Sequence, residues 1–285
     1  MLRVIRAGSR FVDRTVGLNR VGLLLSVVVI LAAVWVLYRM LEGLDPAGVM
    51  DALADTPRGY VLLAGLFVAA GYFTLTFYDL FALRTIGRWD VPYSTAALAG
   101  FTSYSIGHNL GASVFTGGAV RYRIYSAWNL DAVDVAKICF LAGLTFWLGN
   151  ATVLGLGVSL HPEAASAVDQ LPPWLNRVLA GLALLVLAGY VFWVWRKPRV
   201  IGREGWQVTL PAGPLTLLQI AIGIVDLGCC ALAMYMLMPS EPHISFITLA
   251  VIFVSATLLG FASHSPGGLG VFDAAMLSGR FAMLR

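Results

Sequence analysis

The feature that most constrains this chain is a succession of hydrophobic stretches of the length that crosses a lipid bilayer. A membrane-spanning helix needs about 20 consecutive apolar residues. Only 12% of the residues are charged, and the mean hydropathy is +0.82. We therefore predict an all-α polytopic integral membrane protein. The long apolar runs are Val21–Tyr38, Tyr60–Leu83, Val133–Val158, Arg177–Trp195 and Pro214–Met238.

Two glycine-rich polar stretches interrupt this pattern, at Gly107–Tyr125 and Ser263–Asp273. They fall within two further regions of ambiguous hydropathy, Tyr93–Tyr125 and Ile244–Gly279. Lipid cannot hydrogen-bond an open backbone, so irregular segments at membrane depth persist only when they are buried in protein or line a wet cavity. We expect about five full spans plus two glycine-broken re-entrant helical hairpins that line a polar pathway.

The positions of Lys and Arg favour hairpins over full crossings. If the arginine-rich N-terminus is cytoplasmic, a full crossing by Tyr93–Tyr125 would place six cations outside, against the charge bias of membrane proteins. A hairpin that enters and leaves on the cytoplasmic side keeps all six inside. It also leaves the loop Ser159–Asn176, which has no Lys or Arg, outside. The second region then enters from the outer side. The six cations are Arg121, Arg123, Arg196, Lys197, Arg199 and Arg203.

The two halves of the chain share a pattern that predicts an inverted repeat. Asp79 precedes the pair Gly117-Gly118, and Asp226, in the corresponding later span, precedes Gly267-Gly268. One acid and one glycine pair per half is the arrangement expected of inverted-repeat transporters. Coincidence is the alternative, because glycine is frequent in membrane helices. The predicted membrane domain covers residues 21–285, with repeat halves at about 21–131 and 177–285 and a linking span at 133–158.

Residues 1–20 form a separate basic segment. Four of their five arginines recur at three- and four-residue spacing among apolar residues, which suits a cytoplasmic amphipathic helix on an anionic leaflet. A simple topology signal is the alternative. We expect an uncleaved first span after this segment. The arginines are Arg3, Arg6, Arg10, Arg14 and Arg20.

Several function classes lack their sequence signatures. The three cysteines lie inside apolar runs, the four histidines have no metal-ligand spacing, and no phosphate-binding loop or nucleophile elbow occurs. No basic patch interleaved with aromatic residues suggests nucleic-acid binding. We therefore expect no metal, no cofactor, no nucleic acid and no self-contained hydrolase or ATPase. The cysteines are Cys139, Cys229 and Cys230.

Acidic residues inside the apolar regions are the first candidates for function. A charged side chain in mid-membrane costs at least about 2.5 kcal/mol, so Asp79, Asp226 and Asp273 are expected to have a role. For Asp79 the alternative is snorkelling, or pairing with Arg84 near the inner interface. Asp226 is expected to be paired, protonated or in contact with water.

Two arginines directly follow the first glycine pair. Arg121 and Arg123 suit binding of one anion, most naturally a lipid phosphate, together with backbone N–H groups freed by Gly117 and Gly118. An interfacial anchor is the alternative. Combined with the acids, an arginine suits a zwitterionic or cationic phospholipid head group, since the carboxylates match an ammonium and the guanidinium matches the phosphate.

Polar residues beside the glycine pairs are supporting candidates. Side chains at these positions are expected either to satisfy backbone groups of a broken helix or to contact a ligand. Pro266 also favours a helix break at the second pair. The supporting residues are His108, Asn109, His264 and Ser265, and the second hairpin's glycines are Gly267, Gly268 and Gly270.

Three motifs resemble the membrane region of MprF-type proteins, the bacterial multiple peptide resistance factors or aminoacyl-phosphatidylglycerol synthase/flippases. They are Tyr104–Asn109, Thr116–Tyr125 and Pro266–Asp273. The resemblance implies an inner-membrane flippase region. Such a region moves lysyl- or alanyl-phosphatidylglycerol to the outer leaflet and so confers resistance to cationic antimicrobial peptides.

The resemblance also assigns roles to individual residues. It implies that Asp79 is the functional acid of the second span and that Arg121 is the arginine after the glycine pair. Asp273 stands where the family has glutamate, so the charge is kept on a shorter side chain. Phospholipids, a second copy of the chain and a cytosolic synthase domain outside this sequence are the implied partners. A closing span is expected to be missing after Arg285.

Two other functions stay open at this stage. The region could hold and present phosphatidylglycerol to the transferase domain of an aminoacyl-phosphatidylglycerol synthase. It could instead be a membrane scaffold or a small-solute carrier, which silent mutations of the buried acids would favour. A transferase domain beyond residue 285, and the ability of this part alone to move lipid, separate the first alternative from the flippase.

Overall fold

The computed structural model describes residues 50, 54 and 56–282, except 111–112, 198, 204–205, 239–243, 264–265 and 269. The predicted basic segment 1–20 and the predicted first span Val21–Tyr38 lie outside the described residues. The topology of the rest is therefore traced from Arg58, where the first described helix begins.

The described part of the chain is almost wholly helical, which confirms the predicted all-α polytopic class. Four described helices are long and apolar enough to cross a membrane: Arg58–Thr85, Ala132–Leu160, Pro173–Trp195 and Gly213–Leu237. Two 3-10 turns and one β hairpin complete the described structure. The α-helices are α1 (Arg58–Thr85), α2 (Tyr93–Leu110), α3 (Ser113–Tyr125), α4 (Ala132–Leu160), α5 (Pro162–Asp169), α6 (Pro173–Trp195), α7 (Gly213–Leu237), α8 (Phe246–Ala262) and α9 (Val271–Ala282).

The four long helices match the predicted spans, with small shifts at their ends. Helix α4 begins where Asp131 accepts a hydrogen bond from the backbone N–H of Asp134 at 2.8 Å, a standard N-cap. Helix α6 begins four residues earlier than predicted, at Pro173. Proline suits the first helical position because its missing N–H has no partner there in any helix.

The first predicted hairpin is formed by α2 and α3, which pack against each other. The 13 residues of α3 span about 20 Å at 1.5 Å per residue, which is less than the roughly 30 Å hydrocarbon core of a bilayer. Helix α2 ends at Leu110 and α3 begins at Ser113, whereas Gly117 and Gly118 lie inside α3. The structure thus corrects the predicted role of this glycine pair, which does not break the helix.

Both ends of the first hairpin lie on one side of the molecule. Arg88, in the loop that leads into α2, donates hydrogen bonds to the carbonyl oxygens of Trp128 and Asn129, which follow α3. Arg88 also pairs with Asp90 at 3.0 Å and Asp134 at 3.8 Å. Its hydrogen bonds hold the pKa of Asp90 below the usual value. The chain therefore leaves and returns at the same face, as a re-entrant hairpin requires.

The second predicted hairpin is formed by α8, a 3-10 turn at Pro266–Gly268, and α9. Here the glycines do break the helix, because Gly267, Gly268 and Gly270 have φ angles of 62°, 68° and 80°. Residues with a side chain rarely adopt this left-handed conformation. Both arms pack against α5, which follows the far end of α4. The second hairpin therefore enters from the face opposite to the first.

The inner ends of the two hairpins meet. Helix α2 packs against the turn at Pro266–Gly268, and the ring centroids of His108 and Phe261 are 5.0 Å apart. Helices α1 and α7 pack closely beside this junction. The order α1–α2–α3 and α7–α8–α9, with hairpins of opposite entry, is what an inverted repeat requires. The repeat itself stays a prediction.

Two short elements have no counterpart in the sequence-based prediction. Helix α5 lies within the predicted loop Ser159–Asn176, and its small alanines bury one face against α8. Strands β1 (Arg199–Arg203) and β2 (Trp206–Leu210) form an antiparallel hairpin. Val208 of β2 joins the buried cluster around Tyr125 and Ile138. Both elements are too short to produce a clear periodic signal.

Cysteine labelling tests the topology of the first hairpin. We expect Ser94→Cys at the start of α2 and Ala127→Cys after α3 to react with an impermeant maleimide from the same side of the membrane. Glu163→Cys on α5 is expected to react only from the other side. The unsubstituted chain gives the background from its own cysteines. Labelling of Ser94→Cys and Ala127→Cys from opposite sides would show a full crossing instead.

Candidate functional site

A buried ion pair joins α1 to α3. The Nε of Arg121 donates to both carboxylate oxygens of Asp79, at 3.1 and 2.9 Å, and its Nη2 lies 2.7 Å from Asp79 Oδ1. Asp79 is 0% exposed and Arg121 is 6% exposed. The hydroxyl of Tyr125 donates a further hydrogen bond of 2.8 Å to Asp79 Oδ2. The carboxylate is thus bound by two side chains of α3.

The sequence of α2 makes room for this pair. A Cβ atom at Gly100 would lie 3.1 Å from the carbonyl oxygen of Leu75 and 3.6 Å from Asp79 Oδ1, so only glycine fits easily between α2 and α1. Gly117 plays a similar role, because a Cβ there would lie 3.3 Å from the carbonyl oxygen of Ser103. Close packing of small residues is typical of membrane helices.

The Arg121 guanidinium also lies over an aromatic ring. Its Cζ is 5.0 Å from the ring centroid of Tyr104, within the range of a cation–π contact. Arg84 takes no part in this cluster. It donates to the carbonyl oxygens of Arg88 and Val91, near the end of α1. The alternative that Asp79 pairs with Arg84 is therefore wrong, and Asp79 binds the arginine of the first hairpin.

The second buried acid, Asp226 on α7, has neutral partners. The Tyr78 hydroxyl donates to Asp226 Oδ2 at 2.9 Å, and the Thr74 hydroxyl donates to Oδ1 at 3.3 Å. Asp226 is 5% exposed. Among the residues the structure describes, none forms an ion pair with Asp226. The two acids therefore have different surroundings, one with a cation and one with hydroxyl groups only.

The two acidic clusters are adjacent through α1. Tyr78 binds Asp226, and the next residue, Asp79, binds Arg121. A series of ring contacts continues from Tyr78 to Tyr104 (5.8 Å), from Tyr104 to His108 (5.5 Å) and from His108 to Phe261 at the second hairpin. The structure thus connects both acids to the junction between the hairpin ends.

The remaining predicted residues lie elsewhere. Arg123 is exposed near the end of α3. Asp273 is half-buried, and its Oδ2 accepts a 3.2 Å hydrogen bond from the backbone N–H of Gly270 at the start of α9. His108 lies at the hairpin junction, and Asn109 lies in the last turn of α2. His264 and Ser265 fall outside the described residues. Asp79, Arg121, His108 and Asp226 are the predicted residues that this contact network unites.

Sequence reasoning missed the uncharged partners of the acids. Tyr125 lies one helical turn after Arg121, so it could have been found by asking which hydroxyl shares a helix face with a charged residue. Thr74 and Tyr78 share a face of α1 one turn apart, but the acid they bind lies on α7, so their spacing does not point to it. No group of three or more His, Cys, Asp and Glu side chains with metal-binding geometry occurs in the described part of the chain.

No family model matches the chain. The uncharacterized protein slr0712 of Synechocystis sp. is 32% identical over 220 residues, which are 75% of this chain and 67% of that protein. The inner membrane protein YbhN of Escherichia coli is 28% identical over 243 residues, or 83% of this chain and 74% of that protein.

A third similarity concerns much longer proteins. Phosphatidylglycerol lysyltransferase of Staphylococcus aureus is 23% identical over 243 residues, which are 85% of this chain. The same enzyme of Staphylococcus haemolyticus is 26% identical over 271 residues, or 89% of this chain. This chain spans only 28% and 29% of these two enzymes. The similarity thus concerns a part of each enzyme that corresponds to a membrane region here.

Proposed function

Because the chain belongs to the MprF-type family of bacterial membrane proteins, we propose that it is a phospholipid flippase. It is a multi-pass protein of the bacterial inner membrane. The proposed substrate is aminoacylated phosphatidylglycerol, carrying lysine or alanine, and the proposed direction is from the inner to the outer leaflet. Transfer of such cationic lipids would lower the negative surface charge and so protect the cell from cationic antimicrobial peptides.

One observation carries this proposal: two hairpins of opposite entry meet at their inner ends beside buried charged residues. Transporters built from inverted repeats have their substrate sites at such broken helices near the midplane. Burying charged side chains within a membrane costs free energy, so charged residues that are kept there are candidates for function. A head group bound at this cluster would lie between the two leaflets.

The proposed head-group site comprises Asp79, Arg121 and Asp226. The lipid phosphate would take the place of Asp79 at the Arg121 guanidinium, which binds phosphate and carboxylate with similar geometry. The ammonium group would then bind the released Asp79 and the neighbouring Asp226, which has no cationic partner among the described residues. Arg123 is exposed near the end of α3, on the side where the first hairpin begins and ends. It would make the first contact with the phosphate.

The hairpins would alternate in exposing this site. Rocking of one half against the other opens the site to each face in turn, while the acyl chains stay in lipid. Asp273 supports the second hairpin in this account, because its carboxylate holds the N–H of Gly270 at the turn. Its role is therefore to shape the hairpin, and its contact with the head group stays a prediction.

A leaflet-resolved assay in reconstituted vesicles tests the proposal. We expect fluorescent lysyl-phosphatidylglycerol to move between leaflets faster with the protein than without it, and faster than plain phosphatidylglycerol. Asp226→Asn is expected to slow the transfer at least about tenfold, since one lost charge-assisted hydrogen bond corresponds to about 1.5–3 kcal/mol. Asp90→Asn, which changes an exposed acid in a loop, is the matched control. Equal transfer with empty vesicles would exclude the flippase.

A second function is favoured by the lysyltransferase relatives. The region could hold phosphatidylglycerol and present it to a synthase domain outside this chain. In that case the protein would bind phosphatidylglycerol in the vesicles but would not move it between leaflets. Loss of lysyl-phosphatidylglycerol synthesis by a full-length enzyme carrying the equivalent of Asp226→Asn, without any transfer by this region, would select the presenting function.

A further inference from the structure

The hydrogen bonds around Asp226 leave its carboxyl group short of donors. The Tyr78 hydroxyl has one hydrogen, which it gives to Asp226 Oδ2 at 2.9 Å. The Thr74 hydroxyl also has one hydrogen, but it faces two acceptors: the carbonyl oxygen of Gly71 at 2.6 Å and Asp226 Oδ1 at 3.3 Å. The longer distance exceeds the usual range of O–H···O hydrogen bonds, so the Gly71 carbonyl takes most of this hydrogen. Asp226 therefore receives one full hydrogen bond and at most a share of a second.

Asp79 shows what an ionised carboxylate receives in this protein. It has three contacts with the Arg121 guanidinium and a further hydrogen bond from Tyr125. Asp226 is only 5% exposed and has neither a cation nor a full set of donors among the described residues. A buried carboxylate in that position is unfavourable and becomes neutral by taking up a proton. With a proton on Oδ1, the carboxyl O–H donates to the Thr74 oxygen, which still donates to Gly71.

The described surroundings of Asp226 supply no positive charge. On α1 its neighbours are the Tyr78 hydroxyl and Asp79, whose charge Arg121 balances. Helix α8, which packs against α7, has no ionisable side chain. On α4 and α6, which also pack against α7, the ionisable side chains lie towards the helix ends, whereas Asp226 is near the middle of α7. These side chains are Asp134, Lys137 and Cys139 on α4 and Arg177 and Tyr190 on α6, and the other ionisable groups near Asp226 are Tyr104, Cys229 and Cys230.

The charge of the lipid determines when such a proton leaves. In the empty site Asp79 and Arg121 cancel each other and a protonated Asp226 is neutral, so the net charge is zero. Alanyl-phosphatidylglycerol has one ammonium and one phosphate and adds no net charge. Lysyl-phosphatidylglycerol has two ammonium groups and one phosphate, so it adds one positive charge. An unbalanced charge is unfavourable in a medium of low dielectric constant, and loss of the Asp226 proton removes it.

We propose that Asp226 exchanges its proton for lysyl-phosphatidylglycerol and so couples lipid export to proton import. At the inner face the carboxyl O–H bond breaks, its electron pair stays on the carboxylate, and the proton passes to water while the carboxylate binds the second ammonium group. At the outer face the lipid leaves and Asp226 takes up a proton from water. One positive charge thus moves in each direction per cycle. The coupling rests on the proposed flippase function, whereas the proton on Asp226 in the empty protein does not.

Infrared spectroscopy of the full chain tests the proton. The protein is studied at neutral pH in a maltoside detergent, which has no carbonyl group to mask the band of a protonated carboxyl. We expect Asp226→Asn to lose this band. Tyr78→Phe is expected to shift it to higher frequency, because the carboxyl C=O loses its hydrogen bond at Oδ2. Asp90→Asn, which changes an exposed acid paired with Arg88, is the matched control and keeps the band. A spectrum that Asp226→Asn leaves unaltered would overturn the proton site.

Proton release measures the exchange. The full chain in lipid nanodiscs, with a pH-indicator dye in weak buffer, is titrated separately with spin-labelled lysyl- and alanyl-phosphatidylglycerol. We expect the parent to release about one proton per bound lysyl-phosphatidylglycerol and none with the alanyl lipid. Asp226→Asn has no proton to lose, so it is expected to release none and to bind the lysyl lipid about tenfold more weakly. Binding without release in the parent, or equal release by Asp226→Asn, would overturn the exchange.

Leaflet transfer under a pH gradient separates the coupling from the flippase. We expect lysyl-phosphatidylglycerol to accumulate in the leaflet on the acidic side of reconstituted vesicles, whereas transfer of the alanyl lipid does not respond to the gradient. Transfer of the lysyl lipid that is insensitive to the gradient would overturn the coupling and leave the flippase standing. Absence of transfer for both lipids, with the infrared band and proton release intact, would overturn the flippase and leave the proton site standing.

Discussion

Replacing either Asp79 or Arg121 alone is expected to destabilise the protein by about 3–5 kcal/mol, because each change leaves an uncompensated charge in the buried interior. The two residues make three close N–O contacts, and neither is more than 6% exposed. Asp79→Asn and Arg121→Ala are the single changes. The free energy of unfolding, measured by titrating the protein from lipid bicelles with a denaturing detergent, gives the loss.

The combined change distinguishes a structural ion pair from a functional one. Replacing a buried ion pair by apolar residues of similar volume is often neutral or stabilising. We therefore expect Asp79→Leu together with Arg121→Met to recover most of the stability that the single changes lose. If the pair binds the lipid head group, the combined variant folds but transfers no lysyl-phosphatidylglycerol. Normal transfer by a folded combined variant would show that the pair serves structure alone.

Tyr125→Phe provides the control for this comparison. It removes one neutral donor to Asp79 Oδ2 and leaves the charge of the pair unchanged. A hydrogen bond to a charged group contributes about 1.5–3 kcal/mol, so the loss is expected to be smaller than the roughly 3–5 kcal/mol for Asp79→Asn. A loss as large as that of the single charge changes would mean that the whole network, rather than the charge balance, determines stability.

Much of this architecture follows from the sequence because the bilayer leaves few choices. An apolar run of about 20 residues has to form a helix, so the spans ending near Thr85, Leu160, Trp195 and Leu237 could be located within a few residues. The charge bias of the loops likewise indicated both hairpins. The break at Gly267 and Gly268 was also predictable, because proline and glycine interrupt a helix wherever they fall together.

The details of the site could not be found in the same way, because they depend on how helices pack. Glycine has two uses that look alike in a sequence. At Gly267 it permits a left-handed backbone, whereas at Gly117 it lets α3 approach α2. Similarly, Arg84 is only five residues from Asp79, but Arg121, 42 positions away, is the partner. Only the three-dimensional packing brings Arg121 to the carboxylate, since side-chain orientation on separate helices is not visible in the order of residues.

A glycine-to-glycine helix crossing gives the second large effect. Helices α4 and α7 meet at Gly149 and Gly223, where a Cβ added to Gly149 would lie 2.7 Å from the Gly223 Cα. Because the obstacle is backbone, no side chain can move aside, and the helices must separate. We expect Gly149→Ala to destabilise the protein by about 3 kcal/mol, the upper end for overpacking. Separation would also strain the 2.9 Å hydrogen bond from Gln219 to Thr145 one turn away.

Gly228→Ala is the matched change on α7. No heavy atom lies within 4 Å of a Cβ at that position, so the variant is expected to be as stable as the parent or more stable by up to about 1 kcal/mol, from the greater helix propensity of alanine. The same detergent titration compares the two variants. Equal stability of Gly149→Ala and Gly228→Ala would mean that α4 and α7 can move apart freely. The crossing would then be a sliding contact between the linking span α4 and the second half rather than a fixed one.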